Sequence, residues 1–198
     1  MSQQQATDSS RGQFRQEQIL DAAAACFARE GFHGTSIARI SKAAGMSPGH
    51  IYHFFASKEA IIAALVERKL EESLAIFRQF ENAEDLFQAM LDRVDQGLAE
   101  RTDPDRAALE LEILAEAARN ANVAASVRAA DRVRRERLAS LLARLPRSPR
   151  DADELAAVGD VVMALFEGLT ARAVHHPELD RAALPSRLRA VLRGLLDG

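Results

Sequence analysis

Apolar residues recur along this chain at intervals of three and four, and they nowhere alternate convincingly with polar ones. That spacing marks one face of an α-helix, so the pattern predicts helices and no strand. Ile19, Ala23 and Phe27 define the inner face of a first helix. It is expected to start near Ser10, where Ser10 and Gln13 have capping-box spacing, and to close at Gly31 in a left-handed conformation. Thr35 or Ser36 caps a short second helix that runs to Ala44 and stops at Gly45. Ser47 and Pro48 open a third, to about Phe54, with Ser as the cap and Pro at the first helical position, where its missing N–H costs nothing. Ser57 caps a long fourth helix carrying Ile61, Leu65, Leu70, Leu74 and Phe77, with Glu59 favourably placed in its first turn.

Five further helical segments follow. Asn82 is expected to cap one with Leu86, Met90 and Val94. Asp103-Pro104 opens the next, with Leu111, Leu114 and Ala118. Beyond Asn120-Ala121-Asn122 a basic helix continues to Leu145, and Pro146 and Pro149 mark a loop. Asp151 and Glu154 then have capping spacing ahead of Leu155, Val158, Val162, Leu165 and Leu169. Pro177 ends that helix. Pro185 sits in the first turn of the last, whose apolar positions are Leu188, Leu192, Leu195 and Leu196. The expected fold is all-α with about nine helices: a disordered tail over 1–10, a three-helix unit over 11–56, and a helical domain over 57–198 joined to it by the helix that begins at 57.

Composition changes this picture only in places. At 198 residues and 47% apolar, with 5% aromatics, the chain can bury a sizeable core made mostly of Ala and Leu. The single cysteine, Cys26, excludes an internal disulfide and a Cys-rich zinc site, and its apolar surroundings make it a small buried hydrophobe. The first ten residues lack the basic and apolar segments of a signal peptide, and no apolar run approaches the roughly 18–20 residues of a membrane span, so a cytoplasmic location is expected. The net charge of −3 argues weakly against nucleic acid, although residues 1–60 carry six cations against five carboxylates and the rest twenty against twenty-four. No phosphate-binding loop, dinucleotide fingerprint, nucleophile elbow or set of paired metal ligands is present, so an all-α enzyme has little support and no cofactor or metal is expected. His175-His176 lacks the further ligands a metal requires.

The segment from Ile37 to Phe54 is the informative one. Two short helices joined by a turn at Gly45 have Ile40, Ala44, Met46, Ile51 and Phe54 to fill the wedge between them, and Ser41 is small enough for a close crossing. That is the register of a helix-turn-helix, whose turn needs a residue tolerant of positive φ. Pro48, Gly49, His50 and His53 then fall on the outer face of the second helix, near an N-terminus suited to phosphates and acceptor-rich base edges. Thr35, Tyr52 and Lys58 can reach phosphates. Ser36 and Ser47, the caps, complete the candidate DNA-binding set. A helical module that binds protein instead would differ in lacking the steep salt dependence of phosphate contacts.

The stretch Gly34-Thr35-Ser36-Ile37-Ala38-Arg39-Ile40-Ser41-Lys42-Ala43-Ala44-Gly45-Met46-Ser47-Pro48-Gly49-His50-Ile51-Tyr52-His53-Phe54-Phe55-Ala56-Ser57-Lys58-Glu59 resembles the signature of the TetR, or tetracycline-repressor-like, family. The resemblance covers roughly Ile19 to Leu65; the rest matches only in helix number and placement. It implies a DNA-binding transcriptional regulator, in practice a repressor with an activator as the alternative. Such a protein is a homodimer released from a pseudo-palindromic operator by a small-molecule effector. It implies phosphate contacts at Thr35, Tyr52 and Lys58, and groove contacts at Pro48, Gly49, His50 and His53, with His50 helping to set sequence preference.

The same resemblance directs attention to the last two helices. Their stripe, Leu155, Val158, Val162, Leu165 and Leu169 with Leu188, Leu192 and Leu195, is either core or, as expected here, a dimer interface. Phe77, Phe80, Phe87, Met90, Leu111, Leu114, Met163 and Phe166 are the candidate walls of an effector pocket. Glu112 and Glu116 read as a solvated face, or as a site for a cationic ligand if one points inward. Arg128, Arg132, Arg134, Arg135 and Arg137 circle their helix and read as solvated.

Overall fold

The computed structural model describes residues 3–145 and 151–196, and every regular element in them is a helix. There are ten: α1 (Gln3–Gly34), α2 (Ile37–Ala43), α3 (Pro48–Phe54), α4 (Lys58–Glu81), α5 (Leu86–Asp92), α6 (Val94–Arg101), α7 (Pro104–Ala117), α8 (Ala121–Leu142), α9 (Ala152–His175) and α10 (Leu184–Leu196). Most caps stand where local chemistry puts them. The side chains of Ser36, Ser47, Ser57, Asp103, Asn120 and Asp151 each accept a hydrogen bond from a first-turn amide of the helix that follows.

The differences from the sequence reading have physical causes. The first helix extends back to Gln3, because nothing between Gln3 and Ser10 breaks it, so Ser10 lies inside a helix and does not cap it. Gly31 kinks α1 at φ 72, ψ 167. This is not the left-handed cap but a more extended positive-φ conformation open essentially to glycine alone. The segment expected as one helix from Asn82 is two. Asn82 closes α4, Asp85 caps α5 by accepting from the Gln88 amide, and the chain breaks again at Arg93 with neither Gly nor Pro to announce it. The loop expected around Pro146 and Pro149 lies outside the described residues.

Two apolar cores hold the molecule together. The first joins α1, α2, α3 and the front of α4 through Ile19, Phe27, Ile40, Ile51, Ile61 and Leu65, and extends to Ile113, Val123 and Ala130. It therefore continues past residue 56, because α4 carries its apolar face without interruption from one layer into the next. Cys26 is buried in it. The second core gathers α5, α6, α8, α9 and α10 around Leu91, Val94, Leu138, Leu141, Val162 and Leu192. Burying each such side chain contributes about 1.5–3 kcal/mol.

The leucine stripe of the last two helices belongs to this second core. Val162, Leu169, Leu188 and Leu192 are buried within one chain, and Leu155, Val158, Leu165 and Leu195 pack partly buried against them. Four of the eight are thus core positions of a single chain, and the other four keep part of their surface exposed. The outward face of α9 is instead a row of small residues, Ala157, Val161, Ala164 and Gly168, continued on α10 by Ala190, Val191 and Gly194. Among the described residues no helix is long and apolar enough to cross a membrane.

Candidate nucleic-acid interface and regulatory cavity

The turn between α2 and α3 is fixed from three sides. Gly45 takes φ 63, the Met46 amide donates to the Ser41 carbonyl at 2.9 Å, and Gln18 Nε2 reaches from α1 to the Ala44 carbonyl at 2.9 Å. Ile40, Ala44 and Ile51 fill the wedge between the helices. With that face committed inward, the opposite one emerges as a continuous edge. Ser36, Ser47, Pro48, Gly49, His50 and His53 are exposed, and Tyr52 is 55% exposed. No atom lies within 4 Å of where a Cβ on Gly49 would stand, so a ligand's backbone can approach there closely. The His50 and His53 rings stand 6.3 Å apart and both lean on Phe54, at 5.5 and 5.1 Å, which orients them together. Seven of the nine candidate DNA-binding residues thus share one surface.

Thr35 does not join them. Its side chain is 1% exposed, and its hydroxyl donates to the Cys26 carbonyl at 3.2 Å. Thr35 locks the link from α1 to α2 and presents no hydroxyl to a phosphate. Lys58 is half committed. Its ammonium donates to the carbonyls of Phe32 and Thr35 at 2.6 and 2.8 Å and lies 4.3 Å from the Phe32 ring centre. One of its three N–H bonds is left for another partner. Arg39 is bound to Glu30, which it holds below the usual carboxylate range by hydrogen bonding. Lys42 is an exposed cation at the end of α2 that the sequence reading passed over.

Glu112 and Glu116 are not a solvated face. Glu112 accepts from the Phe32 amide at 2.6 Å, beside the kink at Gly31. Glu116 is 3% exposed; it accepts from Asn120 at 3.1 Å, and its Oε2 stands 3.0 Å from His33 Nε2, an ion pair whenever that imidazole is protonated. Neither carboxylate reaches the apolar cavity described below. Both bind α7 to the end of α1, so the Phe32 peptide is held at its N–H from α7 and at its C=O from α4.

That cavity, of about 170 Å³, lies between α4, α5, α6, α8, α9 and α10. Five expected residues line it: Phe77, Phe80, Met90, Met163 and Phe166. Phe87 instead packs against the second core, and Leu111 and Leu114 line a different cleft with Leu70 and Val127. Arg134, expected among solvated arginines, faces the cavity together with Arg93 and Arg101. Its neighbours on α8 do lie outside: Arg135 forms a two-pronged pair with Asp160, and Arg137 reaches Glu81.

Residues 19–65 match the family described as "Bacterial regulatory proteins, tetR family", and residues 81–197 match "BetI-type transcriptional repressor, C-terminal". The HTH-type transcriptional repressor Rv1474c of Mycobacterium tuberculosis (strain ATCC 25618 / H37Rv) is 32% identical over 187 residues, covering 90% of this chain and 89% of that protein. The chain belongs to the tetR family of bacterial regulatory proteins. HTH-type transcriptional regulator UidR of Escherichia coli (strain K12) is 35% identical over 114 residues, 56% of this chain and 55% of UidR, so that match spans about half the relative's length. Among solved structures, Salmonella enterica GusR superposes with a TM-score of 0.74 at 30% identity, covering 93% of this chain and 96% of that one.

In this tetR-family chain every candidate DNA contact lies within 19–65, whereas the cavity draws on both Phe77, ahead of the second matched region, and Phe166 within it. Three functional features escaped the sequence reading: the Gln18 buttress, the Glu112 grip on Phe32, and the inward turn of Arg134. Each is a long-range contact of a polar residue whose local spacing resembles that of a solvated one.

Proposed function

We propose that this protein is a homodimeric repressor that binds a pseudo-palindromic operator through α3 and lets go when a small molecule fills the cavity behind α4. The observation that carries the reading is the exposed edge from Ser47 to His53, set on a helix pair whose other face is fully packed. His50 and His53 donate to base-edge acceptors in the major groove, and Tyr52, Lys42 and the remaining Lys58 proton meet phosphates. A two-fold dimer sets two such edges about 34–36 Å apart, one turn of duplex. The small-residue rows of α9 and α10 are the faces through which copies pair, because small side chains let helix backbones approach closely. The link between sites is the grip of α7 on Phe32: an effector that shifts α6 and α7 pulls on the end of α1 and so on the helix-turn-helix.

Selection of bound fragments from random duplex DNA tests this. The expected outcome is a two-fold symmetric consensus, bound with an affinity that falls steeply as salt rises. An unsymmetrical consensus, binding indifferent to salt, or a rise in transcription from a promoter carrying the selected site would each overturn part of the reading.

A further inference from the structure

Three arginines converge on the wall of the apolar cavity, and none has its hydrogen-bonding capacity filled. Arg93 on the α5–α6 junction donates through Nη2 to both oxygens of Glu100, at 2.9 and 3.0 Å, while its Nη1 is buried without a partner. Arg134 on α8 donates through Nη2 to Asp131 at 3.2 Å, with Glu167 at 3.8 Å, while its Nε is buried without a partner. Arg101, the last residue of α6, lines both the cavity and the larger cleft beside it, and its guanidinium forms no hydrogen bond or ion pair among the described residues. Burial and the nearby Arg134 lower its affinity for its proton. A guanidinium nevertheless keeps its charge in a protein, so it cannot escape burial by becoming neutral. Buried donors without acceptors are costly, and two facing cations add repulsion.

The surroundings carry the same sign. Cavity and cleft together are lined by seven Lys and Arg against five Asp and Glu, in a chain whose net charge is −3. The rest of the cavity lining is different in kind: Phe77, Phe80, Met90, Met163 and Phe166 offer an apolar sleeve. We propose that the effector of this protein is an amphipathic anion, whose carboxylate or phosphate head is held by Arg93, Arg101 and Arg134 and whose hydrocarbon part fills the sleeve. This rests on the reading of the cavity as the effector site. It replaces the cationic ligand that Glu112 and Glu116 would have favoured, since both carboxylates are committed to α1. An anion between Arg101 and Arg134 supplies the missing acceptors and draws α6 towards α8, next to the start of α7.

Calorimetry on the full chain with four probes sharing one alkyl chain tests the proposal: decanoate, decyl phosphate, decyltrimethylammonium and decanol. The two anions are expected to bind, the cation and the alcohol to bind at least tenfold more weakly, and the tighter anion identifies the head group. Arg101→Gln is expected to weaken the anions by about tenfold to a hundredfold, the loss of a charge-assisted pair, with Arg101→Lys between. Decanol or decyltrimethylammonium binding as well as decanoate, an unchanged decanoate affinity in Arg101→Gln with a wild-type melting profile, or no binding by any probe would overturn it. Release of the selected operator fragment is read in parallel. Anions that bind without releasing DNA refute the repressor mechanism and leave the ligand assignment standing.

Discussion

His50 and Lys58 divide between them the two ways a side chain can serve a DNA-binding edge. His50 is exposed, free of hydrogen bonds through its ring among the described residues, and held by contact with Phe54. Its replacement by Ala is expected to change the ranking among operator variants, with about 1–3 kcal/mol of discrimination lost at one base position. Competition binding across single-base variants checks this, and a uniform loss would reassign His50 to the backbone. Lys58 is different, because its ammonium already satisfies the Phe32 and Thr35 carbonyls. Lys58→Met should therefore lower unfolding free energy by about 1–3 kcal/mol, read by denaturant melting. A change in DNA salt slope without loss of stability would show that the structural role is secondary. The sequence made both residues legible by type and position. What it could not show was direction: Thr35 and Tyr52 both read as phosphate contacts, and one hydroxyl turns inward to the Cys26 carbonyl while the other residue stays exposed.

Lys69 supplies the pH dependence at the same scale. Burial lowers its ammonium to about 8, with Arg101, Arg134 and Arg106 adding to the effect, Glu72 opposing it and Glu110 accepting from it. Unfolded, it titrates near 10.5. Between those values the unfolded chain binds more protons than the folded one, so the cost of burying the charged ammonium, fully present below the window, is relieved and stability rises as pH crosses it. The chain has three lysines. A carbon-13 lysine titration is expected to show one of them with a midpoint near 8, moving upward when an anionic probe is bound; a downward movement would contradict an anion near Lys69.

Elements were legible where their signals are local. A cap needs only its own side chain and the next turn, which is why Ser36, Ser47 and Asp103 were readable. The break at Arg93 was not, because neither Gly, Pro nor a capping side chain marks it. The junction of α1 and α2 is the element-scale feature with most consequence. Gly31 holds a conformation that costs other residues about 1–3 kcal/mol, and a Cβ there would stand 3.3 Å from Glu112 Oε1. Gly31→Ala should therefore destabilise the fold and loosen the grip together. Glu112→Ala separates the two effects by leaving the Phe32 amide unpaired without straining Gly31. Hydrogen exchange at Phe32 is expected to quicken in Glu112→Ala, and effector-induced release of DNA to weaken while operator affinity without effector stays closer to wild type. Full release in Glu112→Ala would mean that α4, not α7, transmits the signal.

At the scale of the whole molecule, periodicity reveals that a helix has an apolar face but not which neighbour covers it. The leucines of α9 and α10 have the stronger stripe, and one chain buries most of it: Leu192 is 2% exposed. The weaker row is left outside, with Val161 at 50% and Val191 at 47% exposure. No atom lies within 4 Å of a Cβ built on Gly168 or Gly194. These two surfaces predict opposite responses to substitution. Leu192→Ala should cost about 2–5 kcal/mol of stability. Replacing Val161 and Gly168 with Glu places like charges against their own copies across a two-fold axis, leaving the cores untouched. The double variant is expected to fold as wild type by circular dichroism but to sediment as one chain of 21.7 kDa. It should also lose about a hundredfold or more in operator affinity, because two half-sites no longer bind as one unit. A variant that still sediments as a dimer would move the interface off these two helix faces. A wild-type protein that sediments as a single chain would remove the symmetric operator with it.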